Sequence, residues 1–216
     1  MSHSARLLAA LVLLSACHGG QKPEESSPAE QPIRPLAQLA AQRTILTPTY
    51  YVAAGDGLGW SAAIPRTREF LRALDDALAK ELGARGLRTQ WIYPADLVRD
   101  TKSNPTYAAD PYALGVNVLR DPNIVSGTKI GDPLVTQLRT MVALEENARA
   151  VLVPVELSFP SAGTGKQAAV LRVALLDGRL GDVRWVGVVR SDPASAMTPA
   201  VIANLATRFA DLVTAP

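Results

Sequence analysis

The hydrophobic positions of this chain follow two periods, one typical of strands and one typical of helices. Runs of apolar, β-branched and aromatic residues predict strands at 49–54, 88–93, 150–159, 167–176 and 183–190. Apolar residues three or four positions apart predict helices at 66–82, 133–146 and 198–213, with a short helical turn at 36–42. These elements predict an α/β (α+β) domain. We expect a mixed sheet of about five strands with helices packed on it, in the order β-α-β-loop-α-β-β-β-α.

Residues at the ends and inside these segments support the assignment. Thr198-Pro199 is a typical start for the last helix, because Pro has no N–H to leave unpaired there. The third predicted strand contains Pro154, which cannot donate to a neighbouring strand and therefore predicts a bulge or an edge position. Asp177-Gly178 separates the last two predicted strands, which we therefore expect to form a hairpin.

The segment 98–131 joins the two halves of this order and shows no regular period. A structureless stretch of this length in a compact domain is usually a functional loop or a disordered one. Its aromatic and polar residues, with a Trp that follows the Gly-rich turn 55–59, are candidates for binding a partner protein. The candidate partner-binding residues are Trp60, Tyr107, Asp110, Tyr112 and Asn117. The alternative is that these side chains hold the loop against the sheet.

Composition limits the chemistry of the domain. The chain has 22 Lys and Arg against 20 Asp and Glu, so its net charge of +2 gives no electrostatic footprint for nucleic acid. Its two His, His3 and His18, and its one Cys, Cys17, all precede Gly19. Catalytic Ser-His-Asp and Cys-His systems are therefore excluded from the domain, and zinc, haem and iron–sulfur sites are disfavoured. We predict no metal site and no cofactor; carboxylate chemistry, a Ser-Lys pair and oxygen-ligand metals stay open.

Two short strings look like phosphate-binding motifs but depart from them. Gly55-Asp56-Gly57-Leu58-Gly59 has Trp60 where a third glycine would be, and several residues separate it from the next helix. The string 163–166 (GTGK) lacks the Ser or Thr that would follow the lysine, and it joins two predicted strands. We interpret the first as a flexible turn and the second as a hairpin loop.

The first residues of the chain have the pattern of an export signal. Arg6 precedes the apolar run Leu7–Leu14, which is shorter than the roughly 20 residues needed to span a bilayer. Leu14-Ser15-Ala16-Cys17 then places small residues before the cysteine. This string, LSAC, resembles the lipobox of bacterial lipoproteins.

The lipobox resemblance implies that the chain is cleaved before Cys17 and anchored to a membrane by acyl chains on that residue. It divides the chain into a signal peptide at 1–16, a lipidated Cys17 with a Pro-rich tether at 17–43, and one α/β domain at 44–216. The residue after Cys17 is His18 and not Asp, the residue that often marks retention in the inner membrane. The expected location is therefore the periplasmic face of the outer membrane.

The second half of the chain resembles the small α/β domains of certain envelope lipoproteins. The similar stretches are Leu134-Val135-x-x-Leu138, AVLVPVEL, VLRVALLDGRLGDVRWVGVV and the closing helix. The resemblance is to domains related to the curli-secretion lipoprotein, the penicillin-binding-protein activator lipoprotein and the TolB amino-terminal domain. It implies a binding or assembly role in the cell envelope, with an envelope protein or a second copy as partner. The chain has no amphipathic pore hairpin, which argues against a secretion channel.

Three functions are compatible with these features. The first is a non-enzymatic, lipid-anchored protein that binds or assembles with a partner in the envelope. The second is a carboxylate-dependent hydrolase of envelope glycans, with acids from the segment 98–131 and two carboxylates converging on a cleft. The third is a carrier for a small apolar ligand, which would need a sizeable pocket.

Overall fold

A computed structural model describes residues 34–145 and 148–215. Its strands and helices alternate along much of the chain, and short 3-10 turns lie between them. In chain order the elements are β1 (Thr44–Leu46), β2 (Tyr51–Val52), α1 (Thr67–Ala84), β3 (Trp91–Ile92), α2 (Pro94–Ser103), α3 (Leu134–Leu144), β4 (Ala150–Ser158), β5 (Val170–Asp177), β6 (Asp182–Arg190) and α4 (Pro199–Asp211). The 3-10 turns are Ala37–Ala41, Leu87–Thr89 and Val116–Arg120. The predicted signal peptide, Cys17 and the tether up to residue 33 lie outside the described residues.

The strands form one mixed sheet in the order β3-β1-β4-β5-β6. The pairs β1–β3 and β1–β4 are parallel, whereas β4–β5 and β5–β6 are antiparallel. β2 also pairs in parallel with β4, further along the same edge than β1. β1 and β2 therefore behave as one strand interrupted near Pro48, which has no N–H to give to the ladder. The predicted α/β class, a mixed sheet with helices packed on it, is confirmed.

Both faces of the sheet are covered by helices. Leu152 and Leu157 of β4 belong to the core cluster under α1 and α4, whereas Val151, Val153 and Val155 belong to the cluster under α2 and α3. A strand buried on both faces needs apolar side chains at successive positions, not only at alternate ones. This explains the nearly unbroken apolar run of β4.

Several predicted features are confirmed. α1, α3 and α4 overlap the three predicted helices, and β5 and β6 form the predicted antiparallel hairpin. The register of β4 against β5 shifts between Pro154 and Glu156, which is the bulge that the proline predicted. Pro199 occupies the first turn of α4, after Thr198 in an extended conformation.

Other predictions are wrong in position. The expected strand at 49–54 is found as β1 and β2 on either side of Pro48, and the expected strand at 88–93 is reduced to β3. Pro94 does not only end that strand; it begins α2, which was not predicted. The Oδ2 atom of Asp96 accepts the N–H of Tyr93 at 3.1 Å and so caps this helix. The segment 98–131 therefore starts inside a helix.

The folded part of the chain includes residues before the predicted boundary at Thr44. Leu36 and Leu39 are fully buried in the cluster under α1 and α4. The N–H of Leu36 also donates to the carbonyl of Leu212 at 3.0 Å, which fixes the start of the domain beside the end of α4.

Candidate partner-binding surfaces

The connection between α2 and α3 is packed against the sheet. Leu114, Val116 and Leu119 are buried in the cluster shared with α2 and α3. Arg172 of β5 donates from Nε to the carbonyl of Leu119 at 2.9 Å. This connection is therefore a folded layer that lies over one face of the sheet.

The four candidate residues on this connection have different environments. Tyr107 is 76% exposed, and Asn117 is also exposed. Asp110 accepts the N–H of Tyr112 at 2.9 Å, and the Tyr112 ring lies 5.3 Å from the guanidinium of Arg72 on α1. Tyr112 thus helps to attach the connection to α1, whereas Tyr107, Asp110 and Asn117 are exposed and available to another molecule.

The fifth candidate, Trp60, is buried and not exposed. It is 4% exposed and packs edge-on against Phe159, with ring centroids 5.6 Å apart. The Gly-rich turn before it is held by Asp56, whose carboxylate accepts the N–H groups of Trp60 and Ser61 at 2.7 Å each. The turn therefore places an aromatic side chain in the core, which removes Trp60 from the surfaces that a partner can contact.

An apolar groove that no sequence motif indicated runs between α1 and α4. It has a volume of about 570 Å³ and is open to solvent. Small residues form much of its lining, so the floor lies low between larger side chains. The lining side chains include Phe70, Ala73, Ala77, Met197, Ile202 and Ala203. Phe70 and Met197 also line a second depression of about 630 Å³ beside Ile64 and Pro65, which extends the apolar surface.

Charged residues lie at both ends of this groove. Arg66 and Glu69 form an ion pair at 3.1 Å near its start. Near its other end, Arg85 is 8% exposed and bonds to Glu81 at 3.0 Å and to Asp211 of α4 at 2.7 Å. These bonds tie the C-terminal ends of α1 and α4 together, so the helices lie side by side at a fixed separation.

A polar pocket of about 360 Å³ lies on the other side of the sheet, beside α2 and the end of α3. In this pocket, burial and a hydrogen bond with Asp100 raise the pKa of Glu145. The guanidinium of Arg43 opposes that shift, because its Nη2 lies 3.5 Å from Glu145 Oε2. The two carboxyl groups line the same pocket and lie within hydrogen-bonding reach of each other. Glycosidases separate their catalytic carboxyl groups by roughly 5–10 Å, so this pair lacks that geometry.

Between residues 34 and 215, leaving out 146 and 147, no three His, Cys, Asp or Glu side chains are grouped as metal ligands would be. None of the helices in the same residues is long and apolar enough to cross a membrane.

The fold and these surfaces define an α/β domain with an apolar groove on one face and a polar pocket on the other. Comparisons with known proteins assign it no family. No protein-family model matches the chain, and no curated protein matches it significantly. Among solved structures, it is similar to a dodecamer of a PelC point variant from Paraburkholderia phytofirmans, with 14% sequence identity and a TM-score of 0.34. That similarity covers 79% of this chain and 88% of the other.

Proposed function

We propose that this protein is a lipid-anchored lipoprotein of the bacterial envelope that acts without catalysis, by binding a partner protein in the α1–α4 groove. The observation that carries the proposal is the groove itself, an apolar surface left open on an otherwise well-packed domain. The lipobox-like string LSAC supports the anchoring part, and the absence of His and Cys after His18 supports a contact function.

The proposed partner presents an amphipathic helix. Two adjacent helices with small residues between them leave a trough in which a third helix packs closely, as helix-in-groove complexes do. Ala73, Ala77 and Ala203 supply those small residues, and Phe70 and Ile202 flank them. Lys80 and Glu81 both line the groove at one end, and Glu81 is neutralised by its bond to Arg85. No ion pair between described residues includes Lys80, so the partner helix carries an acidic residue there.

Anchoring is tested by the substitution Cys17→Ser. If Cys17 is lipidated, the wild-type protein stays in the membrane fraction after a high-salt wash, because several acyl chains bind a bilayer far more firmly than one. The Cys17→Ser variant is then expected in the soluble fraction or as uncleaved precursor. A wild-type protein with a free thiol at Cys17, found by mass spectrometry, would contradict the anchoring model.

Partner binding is tested by photo-crosslinking from single positions in the membrane-bound protein. A crosslinker at Ala73, which is exposed in the groove, is expected to give one discrete adduct that contains a helical segment of another protein. A crosslinker at Ala200, which is exposed on α4 outside the groove, is the matched control. The substitution Ala203→Arg fills the groove and is expected to remove the Ala73 adduct. Equal adducts from Ala73 and Ala200 would contradict a groove-specific partner.

The other two candidate functions find less support in the same surfaces. A glycan hydrolase needs separated carboxylates across a cleft, and Asp100 and Glu145 lie within hydrogen-bonding reach of each other instead. A carrier of small apolar ligands encloses most of its ligand, whereas the α1–α4 groove is open along its length.

A further inference from the structure

β6 is the last strand on its side of the sheet. β5 pairs with it along one edge from Asp182 to Arg190. On the other edge, the loop that precedes α3 covers only the beginning of the strand: Gly127 donates to the carbonyl of Val183 at 2.8 Å, and Val183 donates to that of Thr128 at 2.9 Å. Beyond this point no described segment pairs with the outer edge of β6.

The register shows which backbone groups are left on that edge. In an antiparallel pair, alternate residues bond to the neighbouring strand and the residues between them face away. Ser191 donates to the carbonyl of Ala169 at 2.8 Å, so its N–H faces β5. By alternation, the N–H and C=O groups of Val186, Val188 and Arg190 point away from the sheet. These are six strong polar groups in a row.

This edge lacks most of the devices that usually protect a sheet edge. Such edges are commonly short, strongly bulged, or interrupted by proline and inward-facing charge. β6 has a register shift at Arg184, near its start, but the stretch from Trp185 to Arg190 contains no further shift and no proline. Val188 in the middle of this free stretch is 59% exposed. The Trp185 ring lies over Gly187, so closely that a Cβ on Gly187 would overlap the ring. The ring therefore covers the one glycine of β6.

We propose that the outer edge of β6 pairs with the β6 edge of a second copy of this chain, antiparallel and with Val188 on the two-fold axis. In this register Val188 faces Val188 of the second copy, and Val186 faces its Arg190. The three outward residues are symmetric about Val188, so every outward N–H and C=O finds a partner. The paired stretch is limited at both ends. The loop bonded to Val183 ends it on one side. The turn after Arg190, where the N–H of Asp192 donates to Asn204 Oδ1 at 2.7 Å, ends it on the other.

The charges of the edge agree with this register. The two Arg190 side chains lie four residues apart along the paired strands, about 14 Å, which exceeds the screening length at physiological salt. Arg184 of one copy lies opposite Asp192 of the other by register, and these side chains are 49% and 65% exposed. Within its own copy Arg184 already bonds to Asp177 and Asp192 bonds to Arg208, so the pairing adds an opposite charge to each. The register therefore brings opposite charges together at the ends and places no like charges face to face.

The pairing is tested first by cysteine crosslinking in a Cys17→Ser background, which leaves no competing thiol. The substitution Val188→Cys places two thiols on directly opposed residues, whose Cα atoms are about 5.5 Å apart in such pairs and within disulfide range. Arg190→Cys is the matched control, because the register places Arg190 opposite Val186 of the second copy and far from the second copy's Arg190. We expect a disulfide-linked dimer from Val188→Cys and several-fold less from Arg190→Cys. Equal crosslinking at both positions would overturn the register.

The second test measures mass in solution. Full-length Cys17→Ser protein is expected to sediment as a dimer, and Val188→Pro as a monomer. At low concentration, where both proteins are dissociated, their thermal transitions should agree, because the lost N–H points outward and not toward β5. Val188→Thr keeps that N–H and is expected to stay dimeric. If Val188→Pro lowers the thermal transition, Val188→Lys takes its place. A monomeric Cys17→Ser protein at all concentrations would overturn the proposal and leave the groove experiment unaffected.

Discussion

Asp75 is a buried carboxyl group whose ionisation the fold opposes. It lies on α1 with 3% exposure, and its Oδ1 accepts the N–H and the hydroxyl of Thr49 at 2.8 and 2.7 Å. Its Oδ2 has no hydrogen-bond partner among the described residues. Burial raises the pKa of Asp75 to about 7, although the Thr49 bonds lower it and nearby Asp76 raises it further.

This shift makes stability depend on pH in a definite direction. The ordinary pKa of an Asp is 3.8, so between about pH 4 and pH 7 the folded protein keeps a proton that the unfolded chain has lost. The contribution of Asp75 to stability is therefore complete below about pH 4 and is lost as the pH rises through 7. A difference of about three pKa units corresponds to about 4 kcal/mol in the free energy of unfolding.

The substitution Asp75→Asn isolates this effect. Asparagine keeps the oxygen that accepts both bonds from Thr49, and it imitates the protonated acid at every pH. We expect wild type and Asp75→Asn to have similar stability at pH 4, and the variant to be more stable by up to about 4 kcal/mol at pH 8. Urea denaturation at several pH values, followed by tryptophan fluorescence, measures the difference between the two proteins.

The neighbouring residue supplies the control. Asp76 is exposed on the same helix, so Asp76→Asn is expected to stay within about 0.5 kcal/mol of wild type at each pH. The other carboxylates of the domain titrate equally in all three proteins and cancel in the comparison. A stability difference between wild type and Asp75→Asn that stays constant from pH 4 to pH 8 would refute the reasoning.

Four further substitutions test the packing, each by its change in urea midpoint. Gly181→Ala should lower the free energy of unfolding by at least about 3 kcal/mol, because the backbone has φ of 72° and a Cβ would overlap Val135. Gly165→Ala is the control, because its φ of 66° is similar but the space around it is open, and it should lower the free energy of unfolding by about 1 kcal/mol. Similar costs for both glycines would disprove the role of the overlap. Arg85→Lys should cost about 1–2 kcal/mol, because lysine cannot make the bonds of the guanidinium to both helices; an unchanged midpoint would show that charge alone suffices. Trp60→Ala should cost about 3–5 kcal/mol, whereas a near-neutral result would mean that its side chain is exposed after all.

The sequence predicted best those elements whose signal is local and long. The apolar face of α1 repeats over several turns, and the apolar run of β4 is long enough to stand out from its surroundings. β1 is only three residues long, and its pairing on both sides comes from distant strands, so no periodic pattern marks it. α2 did carry a usable signal, because Pro94 and Asp96 stand at the first and third positions of a helix.

The candidate surfaces were less accessible from the sequence. Tyr107 and Tyr112 are both tyrosines on one connection, yet one is exposed and the other lies against Arg72 of α1. Four of the twelve residues that line the α1–α4 groove are alanines, which no motif distinguishes from ordinary helix residues. It exists because the two helices, far apart in the chain, lie side by side on one face of the sheet.

By itself, the sequence determined the class of fold and the chemistry that the domain lacks, because periodicity and composition are properties of neighbouring residues and of counts. Only the tertiary structure decided that Trp60 meets Phe159, that Asp75 is enclosed beside Thr49, and that the outer edge of β6 beyond Val183 pairs with no described segment. Each of these depends on which distant segments come into contact. Contacts of that kind are set by the packing of the whole core and not by any local pattern.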